Sequence, residues 1–248
     1  MASTSETGHA KNVANFNELI SFVSGYGATY NPTKASIKLT ALQTLSAEAK
    51  SSLDAINAAM PAYSNAVSAR EAAFEPLSKL TTRVMNAIKA TDTTTQVDES
   101  ARTLARKIQG VRATAKMTEP EKVAATAEGK EINQISSSQM SYDNRLDNFD
   151  KLIQLLNTIE LYAPNEPELK VTALTALYND LKDKNTAVIN ATTPLSNARI
   201  TRNNILYKEN TGLVDVALDV KTYIKSVFGA TSPQYKQISK LEFKVRKA

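Results

Sequence analysis

The chain has 248 residues, 42% hydrophobic, 22% charged and 6% aromatic, with no Cys, no Trp, one His and a net charge of +5. The absence of Cys excludes disulfide frameworks, thiolate zinc sites, iron–sulfur clusters and cysteine nucleophiles, and a single His excludes a multi-His metal site within one chain. Only 7 Gly disfavour phosphate-cradling loops and turn-rich β folds.

In chain order, the polar segment 1–14, which holds His9, is expected to be a flexible tail leading into a first helix near 10–27. Gly25-Tyr-Gly27 and Asn31-Pro32 break the chain before a long helix near 33–90. Along it, apolar residues recur at Leu42, Leu45, Ala49, Leu53, Ile56, Met60, Tyr63, Val67, Phe74, Leu77, Val84 and Ile88, in steps of three and four or their sums. Pro61 falls inside this period, and the phase continues on both sides, so a kink is expected rather than a new helix. Thr91-Asp-Thr-Thr-Thr95 ends the run ahead of a short basic helix over 95–116.

The next helix is expected to start at Thr118-Glu-Pro-Glu121, an N-cap with Pro in the first turn and acids facing the dipole. Its apolar positions run through Ile132, Ile135, Gln139, Tyr142, Leu146, Phe149, Ile153 and Leu156. Tyr162-Ala-Pro-Asn-Glu-Pro167 is the next break. A second long run follows with Leu174, Leu177, Leu181, Val188, Leu195, Leu206, Leu213, Val216, Val220 and Ile224, with Pro194 inside it. Gly229-Ala-Thr-Ser-Pro233 precedes a closing basic helix over 233–248.

The strongest signal is an internal duplication. Asn15-Phe-Asn-Glu-Leu-Ile20 returns as Asn148-Phe-Asp-Lys-Leu-Ile153, and Lys38-Leu-Thr-Ala-Leu42 returns as Lys170-Val-Thr-Ala-Leu174. The stretch from Ile56 to Arg70 returns, with one gap, from Ile189 to Arg202, and Pro61 matches Pro194. The expected fold is therefore all-α: an elongated bundle of long, Pro-kinked antiparallel helices built from two tandem homologous repeats, 15–117 and 118–248.

Candidate sites are few. Ser64, Asn65 and Arg70 recur as Ser196, Asn197 and Arg202, and a polar set on the apolar seam suits hydrogen bonds that fix helix register. The segment 95–116 carries five basic residues (Arg102, Arg106, Lys107, Arg112, Lys116) against two acidic ones. The segment 233–248 carries five (Lys236, Lys240, Lys244, Arg246, Lys247) against one, with Lys236, Lys240 and Lys244 stepping by four along one helix face. Such a line suits phosphate contacts. Tyr30 and Tyr162 precede the two breaks at matched positions, where they are expected to pack at a corner.

No nucleophile elbow, Walker loop, dinucleotide fingerprint or Glu-x-x-His pair is present. No catalytic residue, cofactor or metal is expected. There is no apolar run of membrane-spanning length, and the polar start carries no signal-peptide pattern, so a cytoplasmic protein is expected. These features point to a non-enzymatic structural or scaffolding protein that binds copies of itself or another protein. The alternative is a nucleic-acid-binding or ribosome-associated protein acting through 95–116 and 233–248.

Overall fold

A computed structural model describes residues 8–111, 118, 120, 124, 127 and 140–245. The described chain is all-helical, with no strand. The helices are α1 (His9–Gly25), α2 (Leu39–Phe74), α3 (Leu77–Lys89), α4 (Thr95–Gln109), α5 (Tyr142–Asn157), α6 (Val171–Tyr207), α7 (Leu213–Phe228) and α8 (Pro233–Ser239). Local chemistry sets several ends. Thr94 accepts from the Val97 N–H to open α4, Ser141 from Asn144 to open α5, and Ser232 from Tyr235 to open α8, where Pro233 also occupies the first turn.

Several boundaries differ from expectation. Helix α1 begins at His9, inside the segment read as a tail. The long helix near 33–90 is two helices, α2 and α3, parted at Glu75-Pro76. Pro76 offers no N–H and disfavours helical backbone before it, so the chain turns there although the apolar phase runs on from Phe74 to Leu77. By contrast, α2 runs through Pro61 and α6 through Pro194 without ending. The run expected from Thr118 to Leu156 is interrupted, because Met140 is non-helical and Ser141 is extended. Glu119, Glu121, Ile132, Ile135 and Gln139 lie outside the described residues.

The chain forms two compact units, and they cut across the boundaries 15–117 and 118–248. Unit one takes residues up to Tyr63 and from Ala191 onward, and unit two takes Ser64–Asn190. Each unit thus combines segments from both halves of the sequence.

Unit one has a core of Val13, Phe16, Leu19, Val23, Ile37, Leu42 and Ala49 packed with Leu206, Leu213, Val216, Val220 and Ile224. In unit two, Leu146, Phe149, Leu152, Leu156, Leu169, Leu174 and Leu181 pack with Phe74, Leu77, Val84 and Ile88. The first seven of each core follow one another at the same spacing to within a residue. Every one is buried, and burial of large apolar side chains at about 1.5–3 kcal/mol each is the main force closing each unit.

The turns before α2 and α6 also match. The Tyr30 hydroxyl donates to the Ile37 carbonyl at 2.6 Å, and the Tyr162 hydroxyl to Leu169 at 2.9 Å. Each bond closes a loop that contains a 3-10 turn, Ala35–Ile37 in one and Pro167–Leu169 in the other.

Candidate functional site

The basic segments are shorter as helices than their sequence pattern suggests. Helix α4 ends at Gln109 because Gly110 takes φ 69°, and a Cβ there would lie 2.3 Å from the Met140 sulfur. Arg102 and Lys107 are exposed on α4, and Arg106 is half-buried, donating to Thr103 at 3.2 Å. Arg112, Lys116, Arg246 and Lys247 lie outside the described residues.

The line Lys236–Lys240–Lys244 does not form on one helix. Helix α8 stops at Ser239, Lys240 is its C-cap, and residues 241–245 have no regular secondary structure. Long-range bonds compete with helix here. The Asn12 amide donates to the Lys244 carbonyl at 2.8 Å and accepts the Lys244 N–H at 3.1 Å, while Asn15 donates to the Glu242 carbonyl at 2.7 Å. Lys244 also pairs with Glu242 at 2.8 Å, a contact that holds the Glu242 carboxyl below its ordinary range. Lys221, whose pKa is lowered by burial, donates to the Ser239 and Leu241 carbonyls. The two basic segments fall in different units.

The repeat-matched polar set divides. Ser64, Asn65, Ser196 and Asn197 are exposed, so they do not sit in a seam. Helical phase explains this: each lies off the stripe that carries Tyr63, Leu195 and the two arginines. Arg70 and Arg202 turn inward. Arg202 is buried and donates twice to Asn203, at 3.1 and 2.9 Å. In unit two the Arg70 guanidinium lies over the Tyr142 ring at 3.9 Å and donates to Asn185 at 3.0 Å, and Asn185 donates to Asp143 at 2.8 Å. Tyr142 packs edge-on against Phe74. Arg145 completes the cluster, donating to the Ile108 and Phe74 carbonyls and so neutralising the C-terminal ends of α4 and α2. This polar network ties four helices of unit two together.

His9, expected in a mobile tail, is 2% exposed. Its Nδ1 lies 2.6 Å from the Tyr207 hydroxyl. The polar neighbours in sequence hide this contact, which depends on a residue almost two hundred positions away.

The feature that sequence reading missed is an open cleft of about 690 Å³ in unit two, at the end of α3 and the turn before α6. Tyr162, Ala87, Ala90, Asn86, Asp92 and Glu166 are among its walls, and Leu161, 63% exposed, stands at its rim. Burial and the Glu166 charge push the Tyr162 phenol up to about 12, so the ring stays neutral and its hydroxyl remains a donor. Arg83, on another wall, is held by Glu168 at 2.6 Å. The copies differ here in sequence: Ala87 of α3 stands where α7 has Tyr223, and Asp92, past the end of α3, stands where α7 has Phe228.

Among the described residues, no group of three or more His, Asp or Glu side chains is placed to hold a metal ion. No helix there is long and apolar enough to cross a membrane. Comparison with known proteins found no matching family model, no similar curated protein and no similar solved structure.

Proposed function

We propose that the chain is a non-enzymatic structural or scaffolding protein, a duplicated helical repeat that associates with copies of itself or with a protein partner through its long helical surfaces. The observation that carries this reading is the make-up of the two units: each is closed by α-helices from both halves of the sequence. A unit completed by segments far apart in one chain is equally completed by the same segments from two chains, which is the basis of domain swapping. Duplication supplies complementary halves, and heterologous pairing between them closes into rings or extends into filaments. An elongated antiparallel bundle and a cytoplasmic location belong to the same proposal.

Two ion pairs support pairing between unlike halves. In unit one Lys34, in the turn before α2, pairs with Asp219 of α7. In unit two the signs are reversed: Glu168, in the turn before α6, pairs with Arg83 of α3. Pairing first half with first half would set Lys34 against Arg83, and second with second would set Glu168 against Asp219. Both combinations repel. Exposed ion pairs stabilise little by themselves, but sign reversal is an effective means of choosing partners.

The alternative, a nucleic-acid-binding or ribosome-associated protein acting through 95–116 and 233–248, has less support, because the helix that begins at Pro233 ends at Ser239 and does not carry Lys236, Lys240 and Lys244 in one line. Light scattering over a hundredfold concentration range tests the scaffold reading. Mass should rise with concentration, and strictly monomeric behaviour under all conditions contradicts it. Retention on an RNA or DNA column that is lost with rising salt would favour the alternative instead.

A further inference from the structure

We propose that the face formed by α1 and α7 in unit one is a peptide-binding site, and that its occupant, the chain's own closing arm 233–245, is exchanged for the same arm of a second copy. The arm is α8 followed by residues 241–245, which have no regular secondary structure. The face holds it mainly by its backbone. Asn12 donates to the Lys244 carbonyl and accepts the Lys244 N–H, and Asn15 donates to the Glu242 carbonyl. Lys221 of α7 donates to the Ser239 and Leu241 carbonyls, and Tyr26 to the Gln234 carbonyl at 3.1 Å. Pairing both backbone groups of one residue is how a sheet edge takes up an extended peptide. Ile238 and Leu241 are buried between these bonds, and Phe243 packs half-buried against the core, with the Lys221 ammonium 5.4 Å from its ring centre. Main-chain bonds supply affinity, and the apolar anchors supply register.

Three features favour exchange over a permanent seat. Asn12 and Asn15 are 3% and 4% exposed, so an empty face would strand two buried amides, and the arm leaves readily only when another backbone replaces it. None of these bonds depends on which chain supplies the backbone, so a second copy's arm makes the same set. The arm also hangs on a hinge. Residues 229–232 are all that join α8 to α7, and Gly229 takes φ 87°, where a side chain is strained although a Cβ would meet nothing within 4 Å. Glycine there serves the backbone turn and not packing. The other copy of the repeat gives a contrast. Asn148 matches Asn15, yet it donates to the Asn144 carbonyl of its own helix at 2.7 Å, so an amide spent on a separate segment is particular to unit one. As a route by which copies pair, the exchange deepens the self-association proposed above and rests on that reading.

The probe is a fluorescein-labelled peptide of residues 231–245, titrated with the full chain and followed by fluorescence polarisation. In the wild type the tethered arm competes at an effective concentration on the order of 1 mM, so the peptide binds weakly. Lys244→Pro in the chain removes the N–H that Asn12 accepts and loosens the tethered arm, so peptide binding should tighten at least about tenfold. Adding Asn12→Ala to that chain, or placing Leu241→Asp in the peptide, should weaken binding at least about tenfold. If circular dichroism shows Lys244→Pro unfolded, Leu241→Ala in the chain is read in its place. No binding to the folded variant at about 1 mM, or binding indifferent to Asn12→Ala, overturns the inference. Light scattering separates it from the scaffold reading. Lys244→Pro should lower the oligomer mass at a given concentration. Wild-type oligomers whose mass the variant leaves unchanged overturn the exchange and leave the scaffold standing, whereas a wild type that is monomeric at every concentration overturns the scaffold reading and the exchange with it.

Discussion

The matched hydroxyl bonds in the turns before α2 and α6 give the sharpest energetic test of the correspondence between the units. Tyr162→Phe removes one hydroxyl from a nearly buried ring and leaves the Leu169 carbonyl, on a residue 5% exposed, without that donor. A net hydrogen bond is worth about 1 kcal/mol, and an under-satisfied buried carbonyl adds to the loss, so the expected cost is about 1–2 kcal/mol. Tyr30→Phe removes the same bond to the Ile37 carbonyl, on a residue 3% exposed, while keeping the edge-on contact with Tyr223. Its cost should fall in the same range. The two sites share no partner, so the double variant should lose the sum.

Urea unfolding followed by circular dichroism measures all three. Loss below about 0.3 kcal/mol in both single variants, or a clear loss in one and none in the other, refutes the reasoning. Alkaline titration gives a second reading of the same bonds. Both phenols titrate above the ordinary value of 10.0 in the folded chain, mainly through burial, Tyr162 near 12. The stability they contribute is complete below the pKa of an unfolded tyrosine and is lost as pH rises through the folded values. Tyrosinate absorbance should therefore show these two rings ionising late, with unfolding setting in above pH 10.

Asn12→Ala removes both bonds to the Lys244 backbone, so it should cost about 1–3 kcal/mol and speed hydrogen exchange at residues 242–244 before the rest of unit one. Arg70→Lys loses the planar group stacked on Tyr142 and its bond to Asn185, with an expected cost of about 1–2 kcal/mol by thermal unfolding; no change would contradict a register role. Arg83→Glu sets like charges against each other in unit two; adding Glu168→Arg restores that attraction but removes the repulsion between like halves, so analytical ultracentrifugation should show a broader distribution of species than the wild type, and an unchanged distribution would contradict the role of sign reversal.

Helix positions were legible because packing repeats every three to four residues and the repeat copies that pattern. The partners of those helices were not. Phe16 and Phe149 stand on equivalent apolar faces, and periodicity does not say whether either packs with its own half or the other. Pro76 broke a run whose apolar phase never faltered, because the missing N–H acts on the backbone and leaves the stripe intact. The closing segment carries Lys236, Lys240 and Lys244 at helical spacing, yet Asn12 and Asn15 hold its backbone in a non-helical path from more than two hundred residues away. His9 was misread for the same reason. The cleft at Tyr162 left no local pattern, because its walls come from the end of α3 and the turn before α6, which are far apart in the chain.

The central claim is that each compact unit is assembled from both halves of the sequence. Zero-length carbodiimide coupling with mass spectrometry tests it directly, since Lys34 and Asp219 are in contact in unit one and 185 residues apart in sequence. Lys151 and Asp147, one turn apart on α5 at 2.6 Å, provide an internal control that forms under any arrangement of the halves. The account predicts a Lys34–Asp219 isopeptide alongside the control, with its appearance in monomer or oligomer bands reporting whether the halves pair within one chain or between chains. Control coupling with no Lys34–Asp219 product in any band would contradict it.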